Sequence, residues 1–405
     1  MRTCLLAIFV VTCPAFATER VTATGKVVDA DGKPVGHAAV VVYSAGVKKG
    51  FNLYCPTCYI DCGKRTFTAA DGTYSIDGLN ADLVFNLLVA SEGYSTKFVN
   101  KVDPQKGPAE PAVLQKRVPP EDPAQIVRGK VVDSHGEAVP DALVEQQGAI
   151  FGDGGRSFGD RGWIDLIAVT NPQGDFELAH TKPLTAAIVK VSPRGMAGKL
   201  ATVATGTGPK TITVTEGATI RGRLMQDGKP VAHAEIGLTS HSRNMNDFLP
   251  EARIGTDEEG RFELTNVTAG RIWYLYGKME SLAPRGLAAD AILCATKDDG
   301  QVVNVGDIPV KPAFTLRGKV TLSDGKPIPP DMRVNIGADR GSDTQTAIIA
   351  PDGQFEFKGL VHGAYDLWAS VKGYQARGSQ QMEILIEGDG AHQELLLDPV
   401  ASKKR

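Results

Sequence analysis

Apolar and polar residues alternate around a glycine at four places along the chain. The segments are "ATGKVVDADGKPVGHAAVVV" from 23, "VRGKVVDSHGEAVPDALVEQ" from 127, "IRGRLMQDGKPVAHAEIGL" from 220 and "LRGKVTLSDGKPIPPDMRVNI" from 316. A period of two predicts a strand with one dry face, as in Ile220-Arg221-Gly222-Arg223-Leu224. The glycines Gly25, Gly129, Gly222 and Gly318 fall on the dry face, where a missing side chain suits a close approach or a bend. Basic neighbours such as Arg128, Lys130, Arg317 and Lys319 then face water.

A turn follows each opening strand, carried by Gly32, Gly136, Gly228 and Gly325 and stiffened by Pro34, Pro230 and Pro327. Beyond it comes a second strand, such as Ala38-Val40-Val42, then a variable insert. Each copy next offers another hairpin signal: "TAADGTYSI", "TNPQGDFEL", "TDEEGRFEL" and "IAPDGQFEF". There Tyr74, Phe176, Phe262 and Phe355 are expected to enter the core two residues after the turn glycine. The copies recur at the spacing of a small domain rather than of a solenoid turn. Short strands, Gly/Pro/Asp turns and almost no helical period predict an all-β chain, a tandem array of four antiparallel β-sandwiches.

The pattern Gly-x-Val-x-Asp-x-x-Gly-x-Pro-Val-x-x-Ala-x-Val followed by Thr-x-x-x-Gly-x-Phe resembles the carboxypeptidase regulatory-like domain. The resemblance spans nearly the whole chain after residue 17 and is clearest in copies one and four, which share "ASEGYS" and "ASVKGYQ". It implies a transthyretin-like Greek-key sandwich of about seven strands and mostly non-catalytic modules in exported bacterial proteins. It does not carry a peptidase here, because the seven histidines include no His-x-x-Glu and no His-Glu-x-x-His.

The opening "MRTCLLAIFVVTCPAFATE" has a basic start, an apolar run and an Ala15-Phe16-Ala17 cleavage site, which predicts an export signal over 1–17. The remaining chain is too long for one core. The expected organisation is a first domain over 18–116 with a Cys-rich insert, a Pro-rich link at 117–124, and domains over 125–216, 217–312 and 313–405. The wider segment 103–125, rich in proline and charge, is expected to act as a semi-rigid spacer. No second apolar run is long enough for a membrane span. Lysine and arginine total 44 against 47 aspartate and glutamate, scattered singly, so nucleic acid is not an expected partner.

The chemistry worth testing gathers in the inserts. "FNLYCPTCYIDCGKRTF" places Cys55, Cys58 and Cys62 together, and Cys294 lies far along the chain. In an exported protein a disulfide is the leading expectation, with Cys58 to Cys62 or Cys55 to Cys62 favoured. Metal binding and thiol redox chemistry stay open beside it, whereas a c-type haem is excluded by Tyr59 where histidine would be needed. In the second copy, "GRSFG" matches the Gly-x-Ser-x-Gly nucleophile elbow at Ser157, but without the strand–turn–helix context that motif requires. Phe151, Phe158 and Trp163 beside it are candidate ligand-binding aromatics, which would either stack on a sugar or partner, or fold back over the sandwich edge. No phosphate loop or dinucleotide fingerprint is present, so no cofactor is expected. The sequence thus points to an extracytoplasmic, non-catalytic binding or scaffolding protein, recognising a protein or polysaccharide of the envelope through inserts at 46–66, 148–169 and 240–255. Carbohydrate binding through Trp163, and metal or thiol chemistry at the Cys55–Cys62 loop, are the alternatives.

Overall fold

The computed structural model describes residues 19–242, 252–338, 340–378 and 381–400; the expected signal segment 1–17 and most of the 240–255 insert lie outside them. The described chain is all-β. It forms eight main sheets that face one another in pairs, giving four sandwiches in tandem. Each sandwich has its own apolar cluster.

The plan repeats. In the first sandwich the opening strand Arg20–Asp29 lies between Thr73–Asn80 and Ala112–Leu114, and the facing sheet runs Arg65–Phe67, Ala39–Val47, Leu83–Ala90, Lys97–Val102. In the others, Ile126–Val132, Ala218–Gln226 and Phe314–Leu322 take the same central place. Most pairings are antiparallel, but the last strand of each copy returns parallel to the first. Ala112–Leu114, Lys210–Thr213, Val302–Pro312 and Ala391–Pro399 all do so. A Greek-key return crosses from one sheet to the other and therefore lays the final strand alongside the first in the same direction.

The repeated glycines and the repeated aromatics account for each other. Gly25, Gly129, Gly222 and Gly318 stand directly across the ladder from Tyr74, Phe176, Phe262 and Phe355. A Cβ on Gly129 would lie 2.5 Å from the Phe176 ring, and one on Gly222 3.0 Å from Phe262. The ring can lie over the glycine because the glycine has no side chain to occupy that space. On the wet face the same register pairs Arg128 with Glu177 at 2.7 Å and Arg317 with Glu356 at 2.8 Å.

His37, Asp141, His233 and Asp331 are equivalent turn residues, all left-handed at φ between 52° and 58°. A buried threonine secures the turn in three copies. Thr68, Thr170 and Thr256 each accept the amide of Ala38, Ala142 or Ala234 at 2.9 Å and donate to the carbonyl of Val35, Val139 or Val231. In copy four Ile349 replaces the threonine and keeps only a backbone bond, to Met332.

The Pro-rich stretch is not simply a spacer. Its Ala112–Leu114 completes the first sandwich, and Arg117 just beyond is tied to Asp165 and Glu177 of the second, at 2.7 and 2.6 Å. A charged stretch can pair as a strand when, as here, it holds a short apolar run whose alternate residues (Ala112, Leu114) are buried and the edge is open. An apolar contact layer made by Ala39, Val41, Leu88 and Ala90 with Leu143 and Ile167 holds the first two sandwiches together. The third meets the second through Asn266 and Thr268, which donate to the carbonyls of Gly195 and Gly198. Only Ala313 separates the last strand of copy three from the first of copy four.

Candidate functional site

The four sandwiches close on themselves, and the Cys-rich insert is the clasp. It leaves the second strand of copy one at Val47 and reaches the fourth sandwich, about 280 residues further along the chain. Gly50, at φ 74°, comes so close to Asp331 that any side chain there would meet its backbone. Phe51 then packs against the fourth core.

Asn52 is the hub of the contact. Its side-chain oxygen accepts from Asn335 Nδ2 at 2.9 Å and from Ser370 Oγ at 3.1 Å, both fully buried residues. Leu53 N–H donates to the same Ser370 hydroxyl at 2.9 Å, and Arg333 donates to the carbonyl of Lys49 at 2.8 Å. Tyr54 stacks on Trp368 with ring centroids 6.2 Å apart, and its hydroxyl donates to the Cys58 carbonyl and meets Thr344 Oγ1 at 2.7 Å.

The other end of the insert is anchored in copy one. Asp61 is wholly buried and accepts from Lys64 Nζ at 2.7 Å and from the Asn80 amide at 2.9 Å, while Arg20 approaches it at 3.5 Å. Arg20 also bonds Glu280 of the third sandwich at 2.9 Å. Copies three and four join through Lys278 and Asp343, an ion pair of 3.0 Å with both side chains about 5 % exposed or less. Asp343 also accepts the Met279 amide, and Met279 belongs to the fourth core. Sandwiches one, three and four therefore enclose a cleft of about 610 Å³, lined by Tyr54, Tyr59, Arg253, Glu280, Gln345 and Lys358 among others.

The four thiols differ by environment. All are free, and the bridge expected within the trio is not formed. Cys55 and Cys58 are exposed at the two ends of a turn closed by Cys58 N–H to the Cys55 carbonyl at 2.9 Å. A hydrogen bond from the Cys58 thiol holds Cys55 down to about 5, and the same bond pushes Cys58 up. Burial pushes Cys62 up to about 12, and its sulfur donates to the Pro56 carbonyl at 3.3 Å. Cys294 is buried in the third core opposite Trp273, pushed up to about 11 by burial and remote from the trio. Among the described residues no three His, Cys, Asp or Glu side chains gather as a metal site.

The second insert is built differently. Trp163 is 8 % exposed, inside the second core and edge-on to His180 at 5.2 Å; Phe151 packs against that core and Phe158 is half-buried. These aromatics fold back over their own sandwich instead of presenting a stacking platform. Ser157 lies on Arg156–Phe158, a short strand paired with Leu143–Ile150, and no helix follows it, so the elbow is absent. Turn acids such as Asp29 and Asp133 cap their own loop amides at 2.8–2.9 Å. Sequence reasoning missed Asn52, Tyr54, Trp368, Lys278 and Asp343, whose partners are all distant in the chain.

No known protein family matches the chain, and no curated protein does. Among solved structures, the Bacillus anthracis TIE protein aligns over 94% of this chain and 75% of its own, at 13% identity and TM-score 0.20. GBS52, the minor pilin of Streptococcus agalactiae, covers 47% of this chain and 99% of its own, at 14% identity and TM-score 0.26. A streptococcal ancillary pilin covers 68% and 99%, at 12% identity and TM-score 0.22. The description of this fold rests on its own sheets and registers. Among the described residues, no helix is long and apolar enough to cross a membrane.

Proposed function

We propose that this chain is an exported, non-catalytic scaffolding and binding protein whose recognition surface is the cleft between sandwiches one, three and four. The observation that supports the reading most directly is the clasp. An insert that pins two distant sandwiches together fixes the walls of a cleft that neither would make alone, and a preorganised cleft loses less entropy on binding. Its lining mixes tyrosine faces with Arg253 and Lys358 on one side of the charge balance and Glu280 and Glu356 on the other. That mixture suits a polypeptide segment, with aromatic anchors and charges of both signs, better than a neutral polysaccharide. The burial of Trp163 removes the platform on which the carbohydrate reading stood.

A photo-crosslinking amino acid at 345 or 358, in full-length protein expressed in its native host, tests the reading. A discrete protein adduct from these positions, absent when the probe stands at exposed Leu385, is the expected result. Adducts from position 385 alone would overturn it. Binding of wild-type protein on a glycan array, lost on substituting Tyr59 by alanine, would put polysaccharide in place of protein.

A further inference from the structure

The Cys55–Cys58 turn has geometry that the binding role does not use. A hydrogen-bonded four-residue turn brings its end Cα atoms within about 7 Å, close to the upper limit of the ~4.4–6.8 Å that a disulfide spans. Both cysteines are exposed to solvent. Thr57 Oγ1 lies 3.2 Å from the Cys55 sulfur and supplies a polar contact. The turn is held on both flanks, because the Pro56 carbonyl accepts from Ala45 at 2.7 Å and the Cys58 carbonyl from Tyr54 at 2.8 Å. Cys62 and Cys294 lack this combination, one half-buried against Pro56 and the other enclosed in a core.

We propose that Cys55 and Cys58 form a thiol–disulfide exchange site whose co-reactant is a solvent-accessible disulfide. The Cys55 thiolate attacks one sulfur of the partner disulfide, whose S–S bond breaks and releases the first partner thiolate. Cys58 passes its proton to that thiolate, and its sulfur attacks the Cys55 sulfur in the mixed disulfide. The second partner thiolate leaves and takes a proton from water, replacing the one Cys55 had released. Two electrons thereby pass from the Cys55–Cys58 dithiol to the partner, and a Cys55–Cys58 bond remains. Thiolate character at Cys55 matches the attacking role, since the thiolate is the nucleophile. It also stabilises the reduced form, so the bond reverses readily where a structural staple would not. Cys58 also lines the cleft, so the exchange site opens onto it, but the inference rests on the turn itself and stands whatever the cleft binds.

The test uses full-length protein equilibrated with reduced and oxidised glutathione, quenched in acid, alkylated and peptide-mapped. The expected result is one intrachain bond, Cys55 to Cys58, appearing and disappearing with the glutathione ratio. Cys58→Ala should trap glutathione on Cys55, while Cys62→Ala should leave the exchange unchanged. Alkylation of Cys55 should be half-maximal near pH about 5 in the wild type and move up by at least one pH unit in Cys58→Ala, a shift that a merely structural residue would not cause. An unaltered melting temperature verifies that these variants fold. A bond that includes Cys62, no bond at any ratio, glutathione resident on Cys58, or a wild-type half-point near the ordinary ~8.5 of a free thiol would each overturn the proposal.

Discussion

The inserts of copies one and two leave the same point of the sandwich, are similar in length, and meet opposite fates. The second turns inward. Its Trp163 enters the core of its own sandwich, and its Asp165 is held by Arg117 at the domain junction. The first turns outward, with Phe51, Asn52 and Tyr54 satisfied by residues of the fourth sandwich. Local composition announces that an insert exists, whereas its role depends on which apolar or polar surface is left open within its reach. In copy two that surface is the sandwich's own edge. In copy one it is Asn335 and Ser370, polar groups buried by the contact and bonded through Asn52.

The largest expected effect sharpens this contrast. Trp163→Ala should destabilise the second sandwich by about 3–5 kcal/mol, the usual cost of emptying an aromatic site in a core. Chemical denaturation followed by tryptophan-independent circular dichroism would measure it, and a loss below about 1 kcal/mol would show the ring to be peripheral. Asn52→Ala should cost less, about 1–3 kcal/mol, by leaving buried Asn335 and Ser370 short of an acceptor. Its damage should appear elsewhere. Hydrogen exchange should speed up in Arg333–Ala338 and Gly363–Ser370, whose contacts Asn335 and Ser370 lie 283 and 318 positions away, while Leu143–Ile150 stays protected. Equal acceleration in all three strands would mean that the clasp is not a local device.

How much of this was legible beforehand follows the same division. Gly129 and Phe176 were both visible as repeated positions, because a two-residue period and a turn glycine are local signals. That they face each other across one ladder was not stated in either segment, although the recurrence of both in every copy hinted at it. The parallel return of Ala112–Leu114 was hidden inside a proline- and charge-rich stretch, where only the short apolar run Ala112-Val113-Leu114 marks a strand. The candidate site was legible only as a cluster of cysteines. The residues that position it, Asn52 and Tyr54, are ordinary polar and aromatic letters whose meaning comes from Ser370, Asn335 and Trp368. Sequence separation, not obscurity of type, concealed them. Lys278 and Asp343 illustrate the same limit: charged residues read as surface until a second sandwich buries both.

A smaller effect probes a polar reach of the second insert toward the first sandwich. Asp160 accepts the hydroxyl of Tyr43 in the first sandwich at 3.2 Å. Burial first, and then the Asp160 charge, pushes the Tyr43 hydroxyl up to about 12. A group whose folded value is raised stabilises the fold fully below its unfolded value, near 10 for tyrosine, and loses that contribution as pH rises through the folded value. The contact between sandwiches one and two should therefore weaken between about pH 10 and pH 12. Tyr43→Phe keeps the ring edge-on to Phe98 but removes the titrating group, so its stability should stay flatter across that window than the wild type's. The difference should be small, within about 1 kcal/mol for a contact open to water. Parallel slopes for the two proteins would show that this hydroxyl does not link the sandwiches, and that the apolar layer of Ala39, Val41, Leu88, Leu143 and Ile167 holds them with the Arg117 ion pairs and without it.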